Sequence, residues 1–309
     1  MRALITDDVH PLLIEELKGM GYEVDFRPDI TAEETANIIA PYSGLIINSK
    51  IFCGEELLAK APNLKWVGRL GSGMEVIDTK ACEAYGVKYF NSPEGNRNAV
   101  AEHALGLLLN ILNNISTSYN EVRQGQWIRE PNRGTELSGK TVGIIAFGNT
   151  GEAFSKVLNG FDVNILAYDK YKKGFGNDRV KEATMEEIFA AADIVSLHLP
   201  LTPETQHLVD QKFFESFAKP IYFINTSRGK VVETTALLHA VKSGHVKAAA
   251  LDVLENEKIQ NLSGAEQEWF DSLVAEKRIL LTPHIAGWTH ESKRKIAEVV
   301  VSRVKAFSF

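Results

Sequence analysis

Three residues with acid, base or anion-binding side chains lie just beyond short apolar runs of the sequence: Arg228, Glu257 and His284. Such runs are typical of buried parallel strands, whose carboxyl ends border the ligand crevice of an α/β sheet. A guanidinium binds a carboxylate through two parallel hydrogen bonds, and an imidazole exchanges a proton near neutral pH. Each residue alone has an ordinary interpretation, as a surface ion pair, a solvated carboxylate or a turn. Together they predict a site that binds an anion and moves a proton.

A glycine turn adds a candidate cofactor site. One segment combines an apolar run with the pattern Ala-x-Gly-x-x-Gly and the start of a helix, which is the context of a dinucleotide-binding turn. Gly148 lets the backbone approach a pyrophosphate, and Gly151 lets the helix pack on the strand. The N–H groups of Asn149 and Thr150 are placed to bind anionic oxygen. Ala146 stands where the motif has its first glycine, so it must keep a negative φ or carry strain.

An acidic residue supports this interpretation of the turn. Asp169 stands 18 residues beyond Gly151, at the end of the next apolar run. A carboxylate at this place accepts hydrogen bonds from the adenosine ribose and repels a 2′-phosphate. The alternative is an ordinary aspartate that opens a surface turn, and the glycine turn before it argues against that. The sequence therefore predicts NAD rather than NADP as the cofactor.

The elements that would position these residues follow an alternating pattern. Short apolar runs within residues 3–90, and again within 141–281, alternate with amphipathic segments. This predicts α/β units of parallel strands with right-handed crossovers. Between the two series, residues 98–123 have apolar side chains spaced for one face of a single long helix. A last helix is predicted over 291–306, and the polar stretch 256–271 is predicted to be a surface excursion with a short helix.

Length and composition limit the class of protein. With 309 residues the chain is long enough for two packed domains, and its 44% hydrophobic and 24% charged residues are ordinary for a globular protein. The net charge of −6 leaves no broad basic face for nucleic acid or an anionic membrane. Cys53 and Cys82 lie in unrelated segments, so neither a metal site nor a redox pair is predicted. No stretch resembles a signal peptide or a membrane span, and a cytoplasmic location is expected.

The ordered set of motifs resembles the D-isomer-specific 2-hydroxyacid dehydrogenases, and within them the short-form D-3-phosphoglycerate dehydrogenases. The resemblance covers nearly the whole chain and rests on the glycine turn together with further segments. Those segments are Gly68–Gly73, Asn91–Asn96, His198–Thr202, Phe223–Gly229, Ala250–Glu257 and Leu281–Gly287. The resemblance implies an oxidoreductase that passes a hydride directly between NAD and a D-2-hydroxy acid, with no metal.

The resemblance also implies a role for each candidate residue. Arg228 would hold the carboxylate of a 2-oxo acid and polarise its carbonyl, His284 would give the proton for reduction, and Glu257 would orient the imidazole and stabilise its charged form. The residues implied to line the cofactor site are Ser92, Gly148, Asn149, Thr150, Gly151, Asp169, Leu199, Thr226, Arg228, Asp252, His284 and Gly287. Asp252 would lie near the nicotinamide carboxamide.

The identity of the acid depends on a second group of residues. The implied substrate-binding set is Arg69, Ser72, Gly73, Asn96 and Arg228. A second cation, Arg69, suits an acid that carries a phosphate, and Arg69 and Asn96 match positions found in phosphoglycerate dehydrogenases. The preferred pair is 3-phosphoglycerate and 3-phosphohydroxypyruvate, a step of serine biosynthesis. The alternatives are a glyoxylate or hydroxypyruvate reductase, a D-lactate-type dehydrogenase, and a corepressor-like protein that senses NAD without turnover.

The expected architecture has two doubly wound parallel-sheet domains, a Rossmann-type NAD domain inserted in a flavodoxin-like substrate domain. Residues 1–97 and 285–309 are expected to form the substrate domain, and residues 98–284 the NAD domain, with the active site in the cleft between them. The long helix is expected to help form a homodimer. The chain departs from the family pattern at Ala146, at Met74-Glu75 in place of an Asp-Asn pair, and at Lys258 in place of a frequent proline.

Overall fold

The structure, a computed structural model, describes residues 1–307. The chain forms two compact units: unit 1 comprises residues 1–97 and the segment from Trp288 onward, and unit 2 comprises residues 98–287. Residues 285–287 were expected in the substrate domain, but they group with unit 2. The physical reason is that the buried carboxylate of Asp252 accepts hydrogen bonds from the N–H groups of Ile285 and Ala286.

Unit 1 is built on a five-stranded parallel sheet. Its strands are β1 (Arg2–Ile5), β2 (Glu23–Phe26), β3 (Gly44–Ile47), β4 (Trp66–Arg69) and β5 (Lys88–Phe90). Its helices are α1 (Pro11–Gly19), α2 (Ala32–Ile38), α3 (Glu55–Leu58), α4 (Thr79–Ala84) and α12 (His290–Ala306). The strand order β2-β1-β3-β4-β5 is flavodoxin-like. The expected fold class is therefore confirmed for this unit.

The sheet of unit 1 is covered on both faces. All four residues of β3 are buried, as expected for a central parallel strand between two helical layers. On one face, Val300 and Val304 of α12 pack into the apolar cluster that contains Ile5 and Trp66. The end of β4 at Arg69 then leads into the turn of Gly71–Gly73.

Unit 2 is built on a seven-stranded parallel sheet. Its strands are β6 (Thr141–Ile145), β7 (Asn164–Tyr168), β8 (Val180–Glu182), β9 (Ile194–Leu197), β10 (Ile221–Asn225), β11 (Val246–Leu251) and β12 (Ile279–Leu281). The order β12-β11-β10-β9-β6-β7-β8 is the Rossmann order with one added strand. Successive strands are added on one side of β6 up to β8 and on its other side from β9 onward. Such folds bind ligands at this point, where the strand order reverses. The Rossmann-type prediction is confirmed.

The helices that connect these strands differ from prediction at one point. They are α6 (Ile115–Arg123), α7 (Asn149–Val157), α8 (Met185–Ala191), α9 (Gln211–Glu215), α10 (Thr234–Ser243) and α11 (Ala265–Ala275), and α5 (Pro93–Asn113) precedes them. The single helix predicted over 98–123 was wrong. It breaks at Asn114, whose φ of 52° is left-handed, and the side chain of Asn110 accepts the N–H of Ser116 that the break exposes, at 3.0 Å.

Two smaller differences concern polar segments. The edge strand β8 was not predicted, because Val180 is its only apolar residue. The polar stretch 256–271 contains a short turn of 3-10 helix at Ile259–Asn261 and the first part of α11. The last helix agrees with prediction and begins one residue earlier, after Thr289 caps its first turn.

Candidate active site

The carboxyl ends of the strands of unit 2 carry its candidate residues. Arg228 follows β10, Glu257 follows β11 and His284 follows β12, and these three strands are neighbours in the sheet. The glycine turn follows β6, and Asp169 directly follows β7. Because all strands are parallel, these loops lie along the same edge of one sheet.

The glycine turn begins with a strained residue. Ala146 has a φ of 72°, a left-handed conformation that costs a residue with a Cβ about 1–2 kcal/mol. Two hydrogen bonds hold it there. The N–H of Ala146 donates to the carbonyl of Tyr168 at 2.8 Å, and the N–H of Phe147 donates to the carboxylate of Asp169 at 2.8 Å. The turn therefore keeps the backbone geometry of a glycine, and Ala146 carries the strain.

The two glycines of the turn serve different purposes. A Cβ built on Gly151 would lie 2.3 Å from the carbonyl oxygen of Ala146, so only glycine lets α7 approach the end of β6. A Cβ built on Gly148 would meet no heavy atom within 4 Å. This open space adjoins the first N–H groups of α7, at Asn149 and Thr150. This space and the N–H donors of the first helical turn together fit the pyrophosphate of a dinucleotide.

Asp169 has two tasks in this arrangement. Oδ1 accepts the N–H groups of Tyr171 and Lys172 at 2.9 and 2.8 Å, while among residues 1–307 Oδ2 accepts only the N–H group of Phe147. Burial raises the pKa of this carboxyl, but the three N–H donors and the ammonium of Lys172 together lower it by more. The pKa of Asp169 is therefore below its usual value. The carboxylate thus fixes the glycine turn and keeps capacity on Oδ2 for a ribose hydroxyl.

A buried imidazole lies behind the start of α7. Nδ1 of His198 is 3.2 Å from Oγ1 of Thr150, and Nε2 is 3.0 Å from Oγ of Ser196. Burial lowers the pKa of His198 to about 3, so the ring is neutral at physiological pH. The sequence indicated this histidine only as the first residue of the segment His198–Thr202, and no motif pointed to its contact with Thr150.

The turn after β10 presents an arginine, and it also holds a buried hydroxyl group that has no hydrogen-bond partner within residues 1–307. Asn225 organises this turn, because its side chain accepts the N–H of Ser227 at 3.0 Å and donates to the carbonyl of Arg228 at 3.1 Å. Arg228 is partly buried, and its guanidinium donates to the carbonyl of Ser227 at 2.7 Å. Oγ1 of Thr226 is buried and has no hydrogen-bond partner within residues 1–307. An unpaired buried hydroxyl is costly, so its presence fits a polar group of a bound cofactor.

The loop that bears Glu257 packs on this turn. A Cβ on Gly229 would lie 1.8 Å from the carbonyl oxygen of Leu254, so the two backbones touch. Glu255 accepts the N–H of Thr234 at 2.6 Å and pairs with His207 at 2.8 Å. Sequence reasoning missed Glu255 and His207, because no motif connects residues that are far apart in the chain.

The structure brings His284 and Glu257 together. Nδ1 of His284 lies 2.8 Å from the carboxylate of Glu257, and the two side chains are 48% and 44% exposed. Since Glu257 occupies Nδ1, the atom left for proton transfer is Nε2, which has no hydrogen-bond partner within residues 1–307. His284 also has a left-handed φ of 55°.

Asp252 holds the strained segment that carries His284. Its carboxylate, 1% exposed, accepts the hydroxyl of Thr282 at 2.6 Å and the N–H groups of Ile285 and Ala286 at 2.9 and 2.8 Å. His103 of α5 extends this network, with Nε2 3.1 Å from the Thr282 hydroxyl. Asp252 was predicted to lie near the carboxamide of the cofactor. The carboxylate of Asp252 already accepts these three hydrogen bonds from the protein. Its contact with the carboxamide stays a prediction.

Leu199 and Gly287 complete the predicted cofactor residues of unit 2. Leu199 follows His198 and packs, partly buried, against the core of the unit. Gly287 is partly buried and is the last residue of the unit. For both residues, contact with the cofactor stays a prediction.

In unit 1, Arg69 supports the turn that it precedes. Its guanidinium donates to the carbonyl of Gly73 at 2.7 Å and, through Nε, to the carbonyl of Asn48 at 3.3 Å. Glu75 lies 3.9 Å from it, and the arginine side chain is only 14% exposed. The second cation predicted for a phosphate is therefore already engaged by its own turn.

Some of the other predicted residues of unit 1 make hydrogen bonds within the turn, and one has an oxygen without a partner within residues 1–307. Ser92 is fully buried, and its hydroxyl accepts the N–H of Gly71 at 2.9 Å. The carbonyl of Ser72 accepts the side chain of Asn91 at 2.6 Å. Oδ1 of Asn96 is buried without a hydrogen-bond partner among the described residues. Asn96 thus keeps capacity for a ligand, while Ser92 is engaged in the turn.

Other kinds of site were sought in the same part of the chain. Within residues 1–307 no group of three or more His, Cys, Asp or Glu side chains is arranged to hold a metal ion. None of the helices formed by these residues has the length and apolar character needed to cross a membrane. Cys53 and Cys82 are both buried in the apolar core of unit 1.

Comparisons with known proteins agree with this geometry. The family model for the NAD-binding domain of the D-isomer-specific 2-hydroxyacid dehydrogenases matches residues 105–286. The chain is 30% identical over 306 residues to a D-3-phosphoglycerate dehydrogenase of Archaeoglobus fulgidus, an alignment that covers 98% of this chain and 56% of that protein. The chain thus spans little more than half the length of this relative.

Solved structures give the same fold. A D-lactate dehydrogenase from Aquifex aeolicus, complexed with NAD and lactic acid, is 26% identical with a TM-score of 0.85, over 99% of this chain and 95% of that one. A glyoxylate reductase from Paecilomyes thermophila is 24% identical with a TM-score of 0.87, over 99% and 94%. The family match covers more than half of the chain and includes the glycine turn, Arg228, Glu257 and His284. The chain therefore belongs to the D-isomer-specific 2-hydroxyacid dehydrogenases and carries their NAD-binding domain.

Proposed function

We propose that the protein is an NAD-dependent dehydrogenase that interconverts a D-2-hydroxy acid and its 2-oxo acid. The observation that carries the proposal is the 2.8 Å contact between His284 Nδ1 and Glu257, on strand ends beside the one that presents Arg228. Proton exchange and carboxylate binding are the tasks that this reaction sets for the protein. When bound, NAD supplies or accepts the hydride.

Each of the three side chains has one task. The guanidinium of Arg228 holds the carboxylate of the acid and polarises its carbonyl oxygen. In reduction, Nε2 of His284 gives its proton to that oxygen, and in oxidation it takes the proton from the hydroxyl. Glu257 accepts the Nδ1–H, fixes the orientation of the ring and stabilises the imidazolium.

The groups of unit 2 that would hold the cofactor are hydrogen-bond donors and acceptors that can still accept a partner. The first N–H groups of α7, at Asn149 and Thr150, bind the pyrophosphate, and Gly148 leaves the space for it. Oδ2 of Asp169 accepts a ribose hydroxyl. The unpaired hydroxyl of Thr226 pairs with a polar group at the nicotinamide end.

For the acid, we favour 3-phosphoglycerate and its oxidised partner 3-phosphohydroxypyruvate, which would place the reaction in serine biosynthesis. Support comes from the name of the Archaeoglobus fulgidus relative, from the largely buried cation of Arg69 and from the unpaired Oδ1 of Asn96. The neighbouring solved structures named D-lactate dehydrogenase and glyoxylate reductase favour the alternative of an unphosphorylated acid. The cytoplasmic location expected from the sequence stays a prediction.

An exposed apolar face supports a homodimer. Ile115, Tyr119 and Val122 recur on one side of α6, each more than half exposed, and Trp127 after the helix is 80% exposed. Apolar side chains grouped in this way on a protein surface mark an interaction site. Light scattering after size exclusion tests the proposal: we expect twice the 34.2 kDa of one chain, and a shift to one chain when Tyr119 and Val122 are replaced by lysine. A wild-type mass of 34.2 kDa would contradict it.

The experiment that tests the substrate is NADH oxidation by the purified protein. It compares kcat/KM for 3-phosphohydroxypyruvate, hydroxypyruvate, glyoxylate and pyruvate. We expect a preference of about 100-fold or more for the phosphorylated acid, which corresponds to about 2.7 kcal/mol. Equal or faster turnover of another acid would reject this substrate and keep the dehydrogenase. NADH binding without turnover of any of the four would favour the NAD-sensing alternative.

A further inference from the structure

A chain of hydrogen bonds runs from the interior of unit 2 to the start of α7. Oγ of Ser196 lies 3.0 Å from Nε2 of His198, and Nδ1 of the same ring lies 3.2 Å from Oγ1 of Thr150. Ser196 is fully buried and His198 is 8% exposed, whereas Thr150 is partly exposed. The ring of Phe154 packs on the imidazole at 5.4 Å between centroids, so the imidazole is fixed on its face as well as at its edges.

The direction of these hydrogen bonds follows from counting donors. A neutral imidazole has one N–H donor and one acceptor nitrogen. Within residues 1–307, the hydroxyl of Ser196 has no hydrogen-bond partner other than His198. If Nε2 carried the proton, the buried O–H of Ser196 would have no acceptor, which is an unfavourable state. The O–H of Ser196 therefore donates to Nε2, and the Nδ1–H of His198 donates to Thr150.

This direction leaves one donor unused at the surface. Thr150 accepts from His198 through Oγ1 and keeps its own O–H for another acceptor. The residue lies at the start of α7, next to the open space beside Gly148. A negatively charged oxygen at this place would receive the hydroxyl proton together with the N–H groups of the helix.

We propose that His198, as its Nδ1–H tautomer, positions the Thr150 hydroxyl so that its O–H donates to the pyrophosphate of the bound cofactor. The inference rests on the proposed place of the pyrophosphate at the start of α7. His198 is a positioning residue in this account, because it acts on the cofactor only through Thr150. The opposite tautomer would consume the Thr150 proton and remove the contact.

The first test measures NADH affinity by fluorescence titration of the full chain. Thr150→Val should weaken binding about tenfold, the loss expected for one hydrogen bond to a charged group, while Thr150→Ser should stay within about twofold of the wild type. His198→Gln carries its amide toward the Nε2 position, so it should weaken binding like Thr150→Val. His198→Asn carries its amide toward the Nδ1 position, so it should retain most of the affinity.

Two controls separate this role from general damage. The double variant His198→Gln/Thr150→Val should bind no more weakly than either single variant, because both act on one contact. His245→Gln removes another histidine of unit 2, an exposed one whose Nδ1 lies 3.0 Å from a serine hydroxyl, and should leave the affinity unchanged. Unchanged binding in Thr150→Val, or equal losses in His198→Asn and His198→Gln, would overturn the proposal while NAD binding stands. Absence of NADH binding to the wild type would overturn both.

The second test reads the tautomer directly in the wild-type protein. Long-range ¹H–¹⁵N correlation spectra of the ¹⁵N-histidine-labelled protein distinguish a protonated Nδ1 from a protonated Nε2, and the His198 signal is the one that is missing from the spectrum of His198→Asn. We expect the proton on Nδ1. A proton on Nε2 would overturn the proposal whatever the affinities show.

Discussion

The turn after β4 in unit 1 and the strand ends of unit 2 contain similar polar residues but use them differently. In unit 2, the carboxylates of Asp252 and Asp169 hold the backbone, and atoms proposed to meet a ligand, such as Nε2 of His284 and Oγ1 of Thr226, have no partner among the described residues. In unit 1, the guanidinium of Arg69 bonds to its own turn.

This difference explains why the class of reaction is better determined than the acid. The atom that would transfer the proton, Nε2 of His284, is recognisable because the ring is held by Glu257 at Nδ1 while Nε2 has no partner among the described residues. Arg69 already has hydrogen-bond partners in its own turn. Its geometry therefore suits two roles, binding a phosphate and stabilising the turn. The experiments below therefore separate residues that bind a ligand from residues that only hold the backbone.

The largest effect is expected at His284. His284→Gln removes the proton donor and keeps the size and polarity of the side chain, so kcat should fall by about 10²–10⁴ while the Kd for NADH changes by less than about twofold. Stopped-flow and fluorescence titration measure the two quantities. His290→Gln, an exposed histidine at the start of α12, is the matched control and should leave kcat unchanged. A similar fall in the control, or none at His284, would contradict the assignment.

The next effect concerns Arg69. If its cation binds a phosphate, Arg69→Gln should lower kcat/KM for 3-phosphohydroxypyruvate about 100-fold, or about 2.7 kcal/mol, and alter glyoxylate turnover by no more than about threefold. Ser92→Ala is the control, because it weakens the same turn and leaves the charge in place. It should affect both acids alike. Equal losses for both acids in Arg69→Gln would show that the arginine only stabilises the turn.

A smaller effect follows from the buried ring of His198. Its pKa is about 3 in the folded protein against 6.5 for an ordinary histidine, so the unfolded chain binds a proton below pH 6.5 that the folded chain does not. The free energy of unfolding should therefore fall as the pH drops from 6.5 toward 3, by about 1.4 kcal/mol per pH unit from this group. Urea titrations between pH 7 and 5 should show a shallower decline for His198→Asn. Parallel curves would contradict the burial of a neutral ring.

The smallest effect is expected at Ala146. Replacing it with glycine removes a strain of about 1–2 kcal/mol but increases the conformational freedom of the unfolded chain by somewhat less. We expect Ala146→Gly to raise the free energy of unfolding by about 1 kcal/mol or less, measured by urea titration. Ala59→Gly, in an ordinary right-handed backbone at the end of α3, should lower it. Destabilisation by both substitutions would show that Ala146 is not strained.

Much of the fold was predictable because buried parallel strands consist almost entirely of apolar residues. The runs around Ile144, Leu166 and Phe223 mark strands on hydrophobicity alone, and polar residues that follow such runs mark the carboxyl edge of the sheet. The same signal fails for β8, where Val180 is followed by two charged residues. It also fails at Asn114, because the apolar spacing continues through a break that one residue's backbone conformation creates.

The supporting contacts of the site were not predictable from local pattern. Asp252 binds N–H groups more than 30 residues further along the chain, and His198 bonds to a threonine 48 residues earlier. Such contacts depend on the register of neighbouring strands, which no single segment encodes. His284 and Glu257 were found because each lies close to a strand end, whereas the residues that hold them in place carry no such mark.

In the proposed reaction, a hydride passes directly to the C2 carbon of the acid, and His284 of unit 2 gives the proton. The most direct test supplies NADH stereospecifically labelled with deuterium at C4, in separate experiments for each face, together with the best 2-oxo acid of the panel. Mass spectrometry and chiral chromatography then analyse the product. We expect one of the two labelled forms to deliver one deuterium to C2 of a D-2-hydroxy acid. A product without deuterium from either form, or of the L configuration, would contradict it.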